Sequence, residues 1–174
     1  PVASAADLAP GPGCKGIVVL LHGLCMNDLQ WTRKDHNHGA ALQLDLKLLP
    51  VYARYNTGLH VSINGRALAQ QLEALLTPWP CEPQRLVIVG HSMGGLVARS
   101  ALHHATEWGL QWPKHLRELI FLGTPHHGSP LERAGNWIDA AMGSTRYSAP
   151  LARLGKLRSA GITDLRFGNL LDED

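Results

Sequence analysis

The sequence predicts an α/β protein: a three-layer sandwich in which helices cover both faces of a mostly parallel sheet. Three observations lead there. Short apolar runs of strand length alternate four times with helix-like segments, an order that right-handed crossovers turn into a parallel sheet. Two of those runs, Lys15 to Leu21 and Leu86 to Val89, are apolar almost without interruption rather than alternating, as strands buried on both faces are. The second leads straight into Gly90-His91-Ser92-Met93-Gly94-Gly95 and a helix-like continuation from Leu96, which is strand, sharp turn and helix.

The elements follow in order. Residues 1–13, rich in Pro, Gly and Ala, read as a flexible lead-in. Lys15 to Leu21 is the first strand and ends in His22-Gly23. From His36 to Leu48, Ala40, Ala41, Leu44 and Leu48 recur at helical spacing with Asp45 and Lys47 on another face, so a crossover helix is expected. Pro50 to Tyr55 is the second strand, closed by the turn residues Asn56-Thr57-Gly58. A helix over Gly65 to Leu76 carries Leu68, Leu72, Leu75 and Leu76 on one side, and Pro78, Pro80 and Pro83 stop it. The central strand, its turn and a helix to about Gly109 come next, then a fourth strand, Leu119 to Leu122, ending in Gly123-Thr124-Pro125. No internal repeat or low-complexity tract interrupts this order.

Composition narrows the functional classes. With 174 residues, 45% of them hydrophobic and 17% charged, the chain suits one domain with a real core, and nothing in the composition suggests disorder. Sixteen basic and 14 acidic residues leave a net charge of +2, too little to steer nucleic acid, so a nucleic-acid partner is not expected. Cys14, Cys25 and Cys81 are widely spaced and odd in number, so they form neither a disulfide framework nor a C-x-x-C pair. One bridge remains allowed, and the compartment stays open between cytoplasmic and exported. The chain opens at Pro1 with neither Met nor a charged-then-apolar leader and reads as a processed or trimmed product. No apolar run has the length of a membrane span.

The turn around Ser92 carries the chemistry. Gly90 and Gly94 flank its tip, where a Cβ would collide with neighbouring backbone, and Gly95 lets the next helix press against the sheet. Ser92 is thereby expected to stand clear as a nucleophile. Acyl transfer needs a second component, N–H donors waiting for the negative oxygen of the tetrahedral intermediate. The Met93 amide, at the start of a helix, is free of an intrahelical partner and sits at the positive end of the dipole. Ligands bind at the carboxyl ends of strands in such sheets. Three loops there are chemically loaded: His22-Gly23-Leu24-Cys25, Gly90 to Met93, and Thr124-Pro125-His126-His127-Gly128. They should meet on one edge.

These residues resemble a serine esterase or lipase of the α/β-hydrolase superfamily. The matching stretches are LLHGL at Leu20 to Leu24, GHSMGGLVAR at Gly90 to Arg99 and LGTPHHGSP at Leu122 to Pro130. With YNTG at Tyr55 to Gly58 and NGRALA at Asn64 to Ala69, they are similar to bacterial lipase-like hydrolases related to the GPI inositol-deacylase group. The resemblance runs from about Lys15 to Pro130. It implies carboxylic-ester hydrolysis through an acyl-enzyme on Ser92, with the Met93 and Leu24 amides as oxyanion donors worth about 2.7 to 4 kcal/mol each. It implies a substrate pocket near His22, Gly23, His126, His127 and Trp137, a small-molecule or lipid ester as substrate, and no cofactor or metal.

The chain departs from this pattern in one respect. In the superfamily the acid and then a histidine follow the nucleophile, yet residues 131–174 contain no histidine. The expectation is a single domain over 1–174 truncated before its last strands, with the triad acid and base beyond Asp174. Asp139, Asp164 and Asp172 are weaker candidates for the acid, and His126 for a substitute base. Loss of a triad base costs on the order of a million-fold in kcat, so this piece alone should be nearly inactive. A hydrolase-like scaffold kept for binding, or an acyltransferase or thioesterase using the same turn, are the competing classes.

Other features have plainer readings. His91 should point away from the reacting atom in a structural role. The pairs His36/His38 and His103/His104 lack the i, i+4 spacing of a helical zinc pair and a clear carboxylate partner, so no metal is expected. Within 131–174, a lid, cap or crossover segment, residues 148–171 set Leu151, Leu154 and Leu157 among Arg153, Lys156 and Arg158. That is either a lid touching a lipid interface or a helix laid over the core. Trp31, Trp79, Trp108, Trp112 and Trp137 are scattered as packing residues are, with Trp137 close enough in sequence to the pocket loop to touch an acyl chain. A sheet stopping at its fourth strand leaves an edge to be covered, by a second chain in a homo-oligomer among other ways.

Overall fold

The computed structural model describes residues 13–77, 79, 85–127 and 160–172. Within them the chain runs β1 (Gly16–Leu21), a 3-10 turn (Asp28–Trp31), β2 (Thr32–Arg33), β3 (His36–Asn37), α1 (His38–Leu46), β4 (Leu48–Ala53), α2 (Val61–Leu76), β5 (Leu86–His91), α3 (Met93–Glu107), a second 3-10 turn (Trp112–His115), β6 (Leu116–Leu122) and α4 (Ala160–Phe167). The main sheet has the order β4-β1-β5-β6 and is parallel throughout. β2 and β3 form a separate antiparallel ribbon.

Burial on both faces makes β1 and β5 the centre. Ile17, Val19, Leu21, Leu86 and Ile88 join the larger cluster, with Leu68, Leu72 and Leu75 of α2 and Leu96, Val97 and Ala101 of α3. Val18, Leu20, Val87 and Val89 point the other way, onto Trp31, Leu48, Leu42 and Tyr52. Two unlike faces of one strand pair therefore bury two helical layers, the three-layer arrangement read from the sequence. Trp31, Trp79 and Trp112 are buried as packing residues, whereas Trp108 is partly exposed and Trp137 lies outside the described residues.

Several element bounds and faces differ from expectation. Pairing with β1 places the second strand at Leu48–Ala53, two residues earlier than expected, so Leu48 opens β4 rather than closing α1. The first helix starts where the Asn37 side chain accepts the Ala40 N–H at 2.8 Å, and it ends at Lys47 with a left-handed φ of 59°. Its contact face is also different. Leu44 is 72% exposed, and α1 instead meets the sheet through Gly39 against Tyr52 and through Leu42. A short helix over an edge strand has room for a narrow contact only, and the small residue makes it.

α2 starts four residues earlier than its leucine spacing suggests. His60 at its N-cap makes no capping bond with its side chain. The cap comes from afar: the Asp164 carboxylate on α4 accepts the Val61 N–H at 2.6 Å and also contacts His60 Nδ1 at 3.1 Å. Further along, Asp172 accepts from the Ser62 hydroxyl and from Arg66 Nη1, Ser100 Oγ donates to the Leu170 carbonyl at 2.7 Å, and Leu165 enters the main core. For its described part, 148–171 is a helix laid over α2 and α3; Leu151, Leu154 and Leu157 fall outside the described residues.

β6 runs from Leu116, three residues before the expected start. Leu116 and Leu119 pack against the main core, whereas Ile120 and Leu122 on the opposite face are 41% and 43% exposed. Among the described residues β6 is thus an edge strand with one face uncovered. No described helix is long and apolar enough to cross a membrane.

Candidate active site

Because all four main strands are parallel, the loops that leave them share one edge. β5 ends at His91, and the chain reverses at Ser92 with φ 53° and ψ −122° before α3 begins at Met93. A positive φ is costly for a residue with a side chain and persists only where the surroundings enforce it. The surroundings here are backbone. A Cβ on Gly90 would stand 2.6 Å from Gly95 Cα, and one on Gly94 would stand 2.5 Å from the Leu21 carbonyl oxygen. The Ser92 N–H donates to the Leu122 carbonyl at 2.8 Å, tying the turn to the end of β6. Gly95 faces Thr124 and Phe121, so the helix does press against the sheet as its sequence suggests.

The loop after β1 lies directly over this turn. A Cβ built on Gly23 would be 3.1 Å from Ser92 Cβ and 3.0 Å from His91 Nδ1. His22 is buried, its Nδ1 lies 3.0 Å from the Gly23 carbonyl, and its ring stacks on Tyr55 at 4.3 Å between centroids. The Tyr55 hydroxyl donates to the His22 carbonyl, and the Cys25 N–H donates to Thr57 Oγ1 at 3.3 Å. Two residues of the loop after β4 thus hold the ends of the segment that carries Leu24. The Tyr55 to Gly58 stretch, a strand end and turn in the sequence, has a further role as a support for the β1 loop. The signal was its position, since it follows a strand of the same parallel sheet.

One expectation needs correcting. Ser92 does not stand clear: the residue is 2% exposed. The β1 loop at Gly23 lies close against it. The loops after β1, β4, β5 and β6 do converge on one edge, while Gly128 and Trp137 lie outside the described residues.

The titratable groups are set by burial. His22 and His91 are both pushed below the ordinary histidine value, chiefly by desolvation, which favours neutral imidazole. Burial raises the Tyr55 phenol and the Cys25 thiol, so Tyr55 remains a donor and Cys25 a thiol. His126 is lowered by desolvation and by the nearby Arg99 and His127 charges. Arg99 Nη1 donates to His126 Nδ1 at 3.1 Å, and the ring sits edge-on to Phe121. With Nδ1 accepting from the guanidinium, the neutral ring carries its proton on Nε2 and has no nitrogen free to take a serine proton. His126 is therefore a poor substitute base, and His127 is exposed.

The remaining histidine bonds lead elsewhere. Among the described residues, those made by His22, His60 and His126 go to the Gly23 carbonyl, Asp164 and Arg99, and none goes to the Ser92 hydroxyl. Asp164 and Asp172, weighed as triad acids, cap α2 and bind Ser62 and Arg66; Asp139 lies outside the described residues.

A parallel sheet of order β4-β1-β5-β6, with a serine turn on its central strand and a glycine loop from β1 against it, is the architecture of the α/β-hydrolase fold. The comparisons with known proteins agree. The chain belongs to the family described as the PGAP1-like alpha/beta domain, which it matches over residues 14–142. No curated protein matches the sequence. Among solved structures it is similar to the Bacillus licheniformis lipase BlEst2. The propeptide form is 23% identical with a TM-score of 0.63, and the likeness covers 92% of this chain and 31% of that one. For the mature form the values are 22% and 0.63, covering 92% of this chain and 58% of the other. A lipase-esterase related protein from Clostridium acetobutylicum shares the fold at 10% identity and a TM-score of 0.51, over 92% of this chain and 69% of that one. The chain thus spans about a third of the first lipase chain and under two thirds of the second.

Proposed function

We propose that the protein is a serine carboxylic-ester hydrolase that works through an acyl-enzyme on Ser92. The observation that carries the reading is the backbone of Ser92, held at positive φ between the central strand and α3, with Gly90 and Gly94 packed too closely on Gly95 and Leu21 to admit a side chain. In this reading the Ser92 hydroxyl attacks the ester carbonyl, and the amides of Met93 and Leu24 receive the oxyanion. Tyr55 and Thr57 fix the loop that presents Leu24. His22, Gly23, His126, His127 and Trp137 border the acyl and alcohol sites, and the substrate is a small-molecule or lipid ester. The general base and its carboxylate are assigned outside residues 1–174, since no described histidine bonds to Ser92.

A second reading, a hydrolase-like scaffold without turnover, is favoured by the 2% exposure of Ser92. Fluorophosphonate labelling of the full-length protein separates the two. A hydrolase takes one label per chain, loses it in Ser92→Ala, and loses p-nitrophenyl ester turnover by on the order of a million-fold in the same variant. A scaffold stays unlabelled. Robust turnover by residues 1–174 alone would remove the assignment of the base to another part of the protein.

A further inference from the structure

The last turn of α3 gathers three metal-ligating side chains that the ester hydrolase reading does not use. His103 Nε2 lies 4.0 Å and His104 Nδ1 lies 3.5 Å from the same oxygen, Glu107 Oε2. All three candidate ligand atoms fall within 4.8 Å of one another. Glu107 is four residues after His103, so the i, i+4 pair that the histidines do not make with each other is made by His103 and the glutamate. That is the carboxylate partner sequence reading did not find.

His104 supplies an independent sign that a ligand belongs here. The residue is 8% exposed, and both of its ring nitrogens are buried without a hydrogen-bond partner. Buried polar atoms are nearly always satisfied, and an orphaned pair calls for an explanation such as an ion. The ring is also held in place, stacked on Trp108 at 5.3 Å and edge-on to His103 at 5.4 Å. Its Nδ1 faces Glu107, whose side chain is 60% exposed, as that of His103 is 50% exposed. The cluster therefore has one fixed ligand, two adjustable ones and an open approach from solvent.

We propose that His103, His104 and Glu107 bind a divalent transition-metal cation of the zinc type, with water completing the coordination. Two imidazoles and a carboxylate suit such an ion better than calcium or magnesium, which prefer all-oxygen sites. Tetrahedral zinc with bonds near 2.0 to 2.2 Å sets its ligand atoms roughly 3.4 Å apart. The His104–Glu107 separation is already close to that, and rotation of the two exposed side chains closes the rest. His103 follows Ser92 by 11 positions along α3, about 16 Å at 1.5 Å per residue, so the ion is no part of the ester chemistry. It ties the end of α3 together and gives the buried Nδ1 of His104 a partner, with Nε2 keeping the ring proton.

The test uses full-length protein stripped with a chelator and titrated with zinc chloride, reading bound metal per chain after gel filtration and the shift in Tm. One retained ion and a higher Tm are expected, both lost in His103→Ala and in Glu107→Gln. Those two positions are exposed, so the variants should fold, with far-UV circular dichroism as the check; the buried His104 is left intact. A His36→Ala/His38→Ala variant should retain the ion. No retained ion in the wild type, or the same retention and Tm shift in His103→Ala and Glu107→Gln, overturns the site and leaves a pair of surface ion contacts.

Discussion

The centre of the sheet and the segment at 160–172 both rest on the α2–α3 layer, and they are held there by opposite means. At the centre, β1 and β5 bury every side chain from Gly16 to Leu21 and from Leu86 to Val89, and the turn that follows β5 fits because two glycines have no side chain at all. The later segment contributes two described apolar side chains to the same core, Leu165 buried within it and Leu170 partly buried against it. Much of its attachment is polar: Asp164 on the start of α2, Asp172 on Ser62 and Arg66, and the Leu170 carbonyl on Ser100. Burial on both faces and backbone in contact with the glycines make the centre intolerant of added atoms. Attachment through a few polar contacts should let the segment be weakened one contact at a time. The difference is measurable.

The largest effect should come from the turn. Gly94→Ala sets a methyl group 2.5 Å from the Leu21 carbonyl oxygen, a backbone atom of a buried strand that has no rotamer to give. Overpacking of this kind costs about 1 to 3 kcal/mol or more, and here the strain also displaces Ser92. Thermal melts should show a lower Tm, and fluorophosphonate labelling of Ser92 should be lost beyond what unfolding explains. Labelling at the wild-type rate would mean that the turn tolerates movement and that the contrast with 160–172 is overstated.

Smaller effects are expected at the segment, in a definite order. Leu165→Ala removes a side chain that is almost fully buried, a change that costs about 2 to 5 kcal/mol where the site cannot relax. The loss cannot exceed the free energy of docking the segment, so the value should fall at or below the bottom of that range. Asp164→Asn retains an acceptor for Val61 while removing the charge at the helix start, for roughly 0.5 to 2 kcal/mol at most. Urea melts of the two variants check the order. If Asp164→Asn costs more than Leu165→Ala, the segment is held by its cap and not by its core contact.

The same contrast explains what the sequence made legible. Continuous apolar runs announced β1 and β5 because each of those side chains is buried by its own character. The G-x-S-x-G spacing announced the turn because its constraint is local, between Gly90, Gly94 and Gly95. β6 was foreseen only in its last four residues: Arg117 and Glu118 interrupt the apolar pattern, and only pairing with β5 draws the strand back to Leu116. The true start of α2 was not legible at all, since its cap lies 103 positions away on Asp164. The face of α1 was misread because leucine spacing marks an apolar stripe without saying that Gly39 makes the closest approach. The cover over Ser92 escaped for a similar reason. It depends on how near one loop comes to another, and a glycine in sequence does not name its neighbour.

Acid should separate the two regions by smaller increments still. His22 and His91 at the centre are lowered from the ordinary 6.5 by burial, so the folded protein prefers them neutral and the unfolded chain binds more protons. Their contribution to stability is complete above about pH 6.5 and is lost as pH falls toward and through their lower folded values. His126 acts in the same direction. Asp172 is lowered from 3.8 by its hydrogen bonds from Ser62 and Arg66, so its contribution is present above that value and disappears only as pH falls further. Between pH 6.5 and 4.5 the Tm should decline while amide exchange in 160–172 stays protected relative to the rest of the chain. Below about pH 4, exchange there should rise first. Release of 160–172 at pH 6, ahead of any fall in Tm, would show that its attachment depends on a group other than Asp172.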